Sequence, residues 1–374
     1  NASGGGGRSA LWSFSCLQHL DSMTHGKLMN RTHLITGSSG GMIGSAYLRQ
    51  LYLKKQKEGY DKMYAQSHLK NISKDILNPV AFTLVTNDVF IRYQNFQYGK
   101  YTYSKDRAYA FEQRLEKNTD HILGRKKLSD YKKPEQNATI PMMILSPTIL
   151  NDGRRLLISP QPISYLTNNQ PKKPINDNPL IEDIEFTRLF EEQNAHDLKF
   201  TSALRMTATF PYILPFVTLP SKPPIHIMDS GLRDNYGTKT SLQFLYSFKD
   251  WIEHNTSGVI FVNIRDQKKQ ADIKNGAHTS IIQRIISPVG NLYGNLFNTQ
   301  NYNHEQLFQY TQSWFKNKLD IVNFQLKQDD ESRISLSFHL TSLEKKRIKN
   351  AINKPENKRA AKRLKRLINS RNAE

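Results

Sequence analysis

His33-Leu34-Ile35-Thr36-Gly37-Ser38-Ser39-Gly40-Gly41 is the stretch on which the fold turns. His33 to Thr36 is a short apolar run of the kind that forms a buried strand. Gly37 to Gly41 is a tight turn, and Ile43, Ala46, Tyr47 and Leu51 then recur at helical spacing. The turn fits G-x-S-x-G, and of its two serines only Ser39 has glycine at both −2 and +2. A serine on a sharp strand-to-helix turn lifts its hydroxyl above the sheet, while flanking glycines tolerate the crowded backbone. The helix that follows offers its N-terminal amides and dipole to developing negative charge. The pattern by itself also describes an ordinary glycine-rich βα turn. The strand before it and the helix after it favour a nucleophile, with Gly37 and Gly41 as supports.

Upstream, Gly4-Gly5-Gly6-Gly7-Arg8 precedes a helix expected over 9–23, where Leu11, Phe14, Leu17 and Leu20 share a face. Glycines let backbone N–H groups approach a ligand, and two or three such donors make a hole for an oxyanion. A phosphate loop would end in Gly-Lys-Ser/Thr, whereas this one ends in Arg8-Ser9. A dinucleotide fingerprint wants an acidic residue about 20 positions on, and Asp21 is too close. A flexible linker is the plain alternative.

Downstream, Ile225 to Met228 reads as a strand ending at Asp229-Ser230-Gly231, and Val259 to Val262 as a core strand. Pro141 to Leu145 is a third buried strand, and Asn151-Asp152-Gly153 is a turn. Residues 54–135 read as a polar, mostly helical elaboration, 168–179 as a loop and 182–209 as helical. Ile282, Ile285, Val289, Leu292 and Leu296 form a helical stripe that Pro288 must kink. An aspartate at a strand end is by itself more often a turn-former than a base. The alternation of helices and strands predicts an α/β fold, and the texture changes beyond about 266.

The net charge of +20 favours anionic partners. Nucleic acid is disfavoured, because no helix-turn-helix, zinc-finger spacing or RNP-like aromatic motif is present. The cations crowd into 345–371, read as a basic amphipathic helix suited to an anionic membrane surface. Thr341-Ser342-Leu343-Glu344 is a capping-box pattern ahead of it. Cys16 is the only cysteine, so no intrachain disulfide framework exists, and it reads as a small buried hydrophobe. No stretch reaches the roughly 18–20 apolar residues that cross a bilayer. The chain is therefore expected in the cytoplasm or peripheral to the cytoplasmic face of a membrane. Because it begins at Asn1 without Met, an upstream segment, a membrane anchor among the options, is expected. Ligand-spaced His, Cys and acidic clusters are lacking, so neither metal nor cofactor is expected.

Three motifs in this order resemble the patatin-like phospholipase family: a G-G-G-x-R loop, a G-x-S-x-G elbow and an Asp-x-Gly turn after a core strand. Thr201 to Pro215 is similar to the family's small-residue helix ending in proline, and Pro141 to Gly153 to the strand and turn before it. The resemblance covers about residues 1–265 and implies a hydrolase domain there, three α/β/α layers around a mainly parallel sheet, followed by a basic, mostly helical extension over 266–374. It implies a Ser–Asp dyad: Ser39 attacks an ester carbonyl, Asp229 activates it, and the amides of Gly5, Gly6 and Gly7 hold the oxyanion. Gly4, Arg8 and Gly231 match motif positions, and the implied substrates are phospholipids or other acyl lipids. Ser230 stands where the family usually has glycine, Ser9 replaces a glycine after the arginine, and the strand expected before the glycine loop is missing. Two rival readings remain at this point. One is a Ser–Asp–His triad completed by His278, His304 or His339; the other is a non-enzymatic lipid- or nucleic-acid-binding protein.

Overall fold

A computed structural model describes residues 1–78, 80, 95–98, 101–104, 106–167, 181–209, 214, 216–266, 299–300, 302–303, 306–313, 315, 319–326 and 334–371. The fold is mixed α/β. It opens with helix α1 (Gly6–Met23), α2 (Lys27–Arg31), strand β1 (Leu34–Ile35), α3 (Ser39–Glu58) and α4 (Gln66–Ile72). The strands that follow are β2 (Asn95–Tyr98), β3 (Tyr101–Ser104), β4 (Met142–Met143), β5 (Thr148–Ile149), β6 (Arg155–Leu157), β7 (Asp183–Glu185), β8 (Val217–Leu219), β9 (Ile225–Met228), β10 (Val259–Arg265) and β11 (Leu319–Gln325).

The slot ahead of the glycine loop is filled by residues 1–3. Ala2 bridges Gly37 on one side and Ile264 on the other, both in parallel. Its N–H donates to Thr36 O at 2.9 Å and its carbonyl accepts from Ser38 N–H at 3.0 Å. Ser3 N–H donates to Ile264 O at 2.9 Å. The glycine loop is thus anchored in the sheet, although too few residues repeat at one spacing here for a strand to be legible in sequence. With β1 parallel to β4 and β10 parallel to β11, the spatial order is β4, β1, residues 1–3, β10, β11.

Strands β2 and β3 form a separate antiparallel pair, and a five-stranded sheet holds β7-β6-β5-β9-β8 in that order. Only β6 and β7 run parallel there; the other three pairs are antiparallel. The expected mainly parallel arrangement therefore describes the half around Ser39 and not this half. The turn at Asn151-Asp152-Gly153, with Gly153 at φ 79°, joins β5 to β6 directly and leaves no room for a crossover helix. The expectation of helix over 182–209 is also corrected. The segment begins as β7, and the helix proper covers Phe200–Thr207. Asp183 is drawn into the sheet by fully buried Arg155, whose Nε and Nη2 reach its two carboxylate oxygens at 2.7 Å each. Tertiary pairing overrides the local pattern there. The stripe from Ile282 to Leu296 and the loop 168–179 lie outside the described residues.

The core is built on α1 against α3. Trp12, Phe14, Cys16 and Leu20 of α1 and Met42, Ile43, Tyr47 and Leu51 of α3 are all fully buried. The helices approach closely because Gly40 and Gly44 of α3 lie against the carbonyls of Gly6 and Ala10, where a Cβ would collide with backbone oxygen. Helix α1 starts at Gly6, three residues before the apolar stripe suggests. Burial pushes the Cys16 thiol well above its ordinary range, consistent with a packing role.

Helices Ser342–Ala351 and Pro355–Ser370 close the chain. The first opens with a capping box: Glu344 N–H donates to Thr341 Oγ1 at 3.2 Å and Thr341 N–H donates to Glu344 Oε2 at 2.7 Å. In the second, Ala361, Leu364 and Ile368 are buried in the main core. Its Arg363 binds Asp320 and the Ile321 carbonyl of β11. Its apolar face is therefore occupied, and Lys358, Arg359, Lys362 and Arg366 are among the residues it exposes. Among the described residues, no helix is long and apolar enough to cross a membrane.

Candidate active site

β1 delivers the chain into the serine turn, and α3 begins at Ser39 itself. Ser39 sits at φ 48°, in the left-handed region that costs a side-chain-bearing residue roughly 1–2 kcal/mol. The turn is held from two sides. Ser38 N–H is fixed to Ala2 O, and Gly237 packs so closely on the Thr36 backbone that a Cβ there would collide with it. Ser38 is fully buried, whereas Ser39 retains 7% exposure. The strained and partly open serine is the one that the glycine spacing selects.

β9 ends at Asp229, whose backbone is pinned by Thr209 O, which its N–H reaches at 3.2 Å, and by Thr148 Oγ1, which donates to its carbonyl at 3.0 Å. Its carboxylate is unequally used. Oδ1 accepts from Ser38 Oγ at 3.0 Å and from Gly231 N–H at 2.6 Å. Oδ2 is buried and has no hydrogen-bond partner among the described residues. Burial pushes the carboxyl up to about 6, against the pull of Gly231 N–H and the hydroxyls of Ser38 and Ser39. Gly231 is needed for space: a Cβ there would lie 2.8 Å from Asp229 Oδ1 and 3.3 Å from Ser38 Oγ. Among the described residues, the Ser230 hydroxyl is buried without a partner and makes no bond to the Asp229 carboxylate.

The glycine loop lies against this pair. A Cβ on Gly4 would come within 3.5 Å of Ser39 Cβ and 3.3 Å of Ser38 Oγ. Two of its amides are already used, because Gly4 N–H donates to Asn235 O at 3.0 Å and Gly7 N–H to Ser337 O at 2.9 Å. The Gly7 amide, one of the three expected oxyanion donors, is thus directed at Ser337 O. The N–H groups of Gly5 and Gly6, at the N-terminus of α1, have no such partner among the described residues. Helices α1 and α3 thus bring two N-termini to one place, where negative charge is favoured.

Sequence reasoning missed four residues that fix this geometry. Ser38 holds the carboxylate. Asn235 takes the Gly4 amide. Gln300 binds Asn235 N–H at 2.8 Å and donates to Gly231 O at 2.9 Å and Leu232 O at 3.1 Å. Asp266 receives Arg8, which is itself buried. A charged residue closing a core strand was the available signal for Asp266. Of the candidate histidines, His339 lies 3.4 Å from Asp75 through Nδ1, and His278 and His304 lie outside the described residues. No histidine touches the Asp229 carboxylate among the described residues. A cavity of about 530 Å³ lined by Glu185, Arg188 and His196 and one of about 700 Å³ lined by Phe244, Trp251 and Ile260 include neither Ser39 nor Asp229. Among the described residues, no group of three or more His, Cys, Asp or Glu that could hold a metal ion is present.

Compared with known families, the chain matches the family model described as Patatin-like phospholipase over residues 2–241. A search of curated proteins finds no match.

Proposed function

The chain belongs to the patatin-like phospholipase family and is a lipid acyl hydrolase, and on that premise we propose that it works through a Ser39–Asp229 dyad and a covalent acyl-enzyme. The observation that carries this reading is the buried Oδ2 of Asp229, without a hydrogen-bond partner among the described residues, beside a serine held in a strained turn. Ser38 and Gly231 occupy Oδ1, so the carboxylate is oriented and its other oxygen is kept for a proton.

In the first step Ser39 Oγ attacks the ester carbonyl carbon while its proton passes to Asp229. The carbonyl oxygen becomes an oxyanion facing the amides of Gly5 and Gly6. Collapse of the tetrahedral adduct breaks the ester C–O bond, and Asp229 returns the proton to the departing alcohol. Water then attacks the acyl-enzyme, with Asp229 taking one of its protons. The second collapse releases the fatty acid and restores the Ser39 hydroxyl. A carboxyl near 6 is a stronger base than one at 3.8, while still ionised at neutral pH. The substrates are phospholipids or related acyl lipids. The fold we propose around this site is the three-layer α/β/α arrangement with a basic helical extension.

The pH dependence follows in sign. The protonated carboxyl cannot accept the serine proton, so kcat/KM is expected to fall about tenfold per pH unit below about 6 and to level off above it. Hydrolysis of a soluble p-nitrophenyl ester between pH 4.5 and 8 measures this. A profile instead reporting a group near 7 that vanishes on substitution of His339 would favour the triad.

We also propose that the protein attaches to anionic membranes through residues 345–371. Because Leu364 and Ile368 are buried in the core, attachment is electrostatic and not by insertion of an apolar face. Replacing Lys358, Arg359, Lys362 and Arg366 by Gln is expected to cut sedimentation with phosphatidylglycerol vesicles at least tenfold. Raising the salt should do the same to the wild type. Unchanged sedimentation of the variant would remove this part of the proposal.

A further inference from the structure

The glycine loop has a clamp that the dyad does not require. Asp266, at the end of β10, is buried, with its side chain 4% exposed. It holds both flanks of the loop. On the strand side, Ser3 Oγ donates to Asp266 Oδ1 at 3.0 Å and accepts from Asp266 N–H at 2.9 Å. On the helix side, Arg8 Nε donates to Oδ2 at 3.1 Å, and Arg8 Nη2 pairs with the same oxygen. Between the flanks, the carboxylate fills the space beside Gly5, where a Cβ would collide with it. Arg8 Nη1 reaches on to Ile334 O at 2.9 Å, which brings the segment carrying Ser337 against Gly6 and Gly7.

We infer that Asp266 is a positioning residue for the oxyanion site, acting through Ser3 and Arg8 and not by contact with substrate. The inference rests on the dyad reading, because it concerns the same transition state. A run of four glycines has more backbone freedom than any other four residues, and two amides aimed at one oxygen lose their value with small misplacement. Gly5 is held at φ 143°, a conformation with no side chain of its own to enforce it. The carboxylate supplies that enforcement from outside the loop. Ala2 also pairs with Gly37 and Ile264, and Leu11, Trp12 and Phe14 seat α1 in the core, contacts made without the Asp266 side chain, although the buried Arg8 guanidinium would lose its carboxylate. Loss of Asp266 is therefore expected to blur the loop more than to unfold the protein.

The test uses the full chain with Asp266→Asn and Ser3→Ala, reading kcat and KM for a soluble ester. It also reads inhibition by a trifluoromethyl ketone, which forms a tetrahedral oxyanion on the serine, and binding of a fatty acid, which does not. For Asp266→Asn, kcat is expected to fall about 100-fold with KM within threefold, and the ketone to weaken in parallel. Fatty-acid affinity and the position of the pH profile are expected to stay put. Ser3→Ala should show the same split at about tenfold. If Asp266→Asn does not fold, Arg8→Lys, which keeps the charge and loses the fork, is expected to show that split. Wild-type kcat in the folded variants, or ketone and fatty acid weakening together, overturns the inference. A wild type whose hydrolysis survives Ser39→Ala overturns the dyad reading, and the inference with it.

Discussion

Ser39→Ala is expected to lower ester hydrolysis at least ~10⁴-fold, to the background left by the bare binding site, with little change in stability. The hydroxyl removed is the one proposed to become the acyl ester. Ser38, one residue away, does not substitute for it, because its oxygen is fully buried and committed to Asp229 Oδ1. The backbone supplies a second readout. Ser39 is held at φ 48°, a conformation that alanine dislikes as much as serine and glycine does not. Ser39→Gly should therefore be equally inactive yet more stable than Ser39→Ala by about 1 kcal/mol. Equal melting temperatures for the two variants would show that the turn is not strained in solution.

Asp229→Asn is the second large effect, expected at ~10³–10⁴-fold in kcat, because the isosteric amide cannot take the serine proton. The sign of its stability change separates it from damage. Burial raises the carboxyl from 3.8 to about 6, which sets the ionised form back by about 3 kcal/mol. A carboxyl whose folded value lies above its unfolded value favours the fold at pH below about 3.8. That contribution is lost as the pH rises through about 6. At pH 8 the wild type carries the full burden of a buried charge, and the variant does not. Thermal unfolding at pH 8 should then show Asp229→Asn as stable as the wild type or more so, with the gap closing toward pH 4. A variant that is inactive and markedly less stable at pH 8 would mean that the carboxylate is structural.

What was legible in the sequence was local. The strand, the glycine-flanked turn and the start of α3 follow from nine contiguous residues, because a strained elbow needs small neighbours on both sides. Asp229 was legible because an apolar strand runs straight into it. The glycine loop was legible as a loop, but which of its amides are free was not. Gly7 is taken by Ser337 and Gly4 by Asn235, contacts that only the folded chain makes. The same limit hid Asp266, which meets Arg8 across 258 residues, and the hold of Ser38 on Asp229 across 191. The antiparallel half of the sheet was missed for another reason. Its strands are two to four residues long, too short to show a period, and β7 is held by the buried Arg155–Asp183 pair.

The dyad is tested most directly by reacting the protein with a fluorophosphonate and mapping the adduct by peptide mass spectrometry, beside Ser39→Ala and Asp229→Asn. The predicted result is a single adduct on Ser39, absent in Ser39→Ala and formed at least a hundredfold more slowly in Asp229→Asn. An adduct on Ser38, or labelling of Ser39 at the wild-type rate without the Asp229 carboxylate, would contradict it.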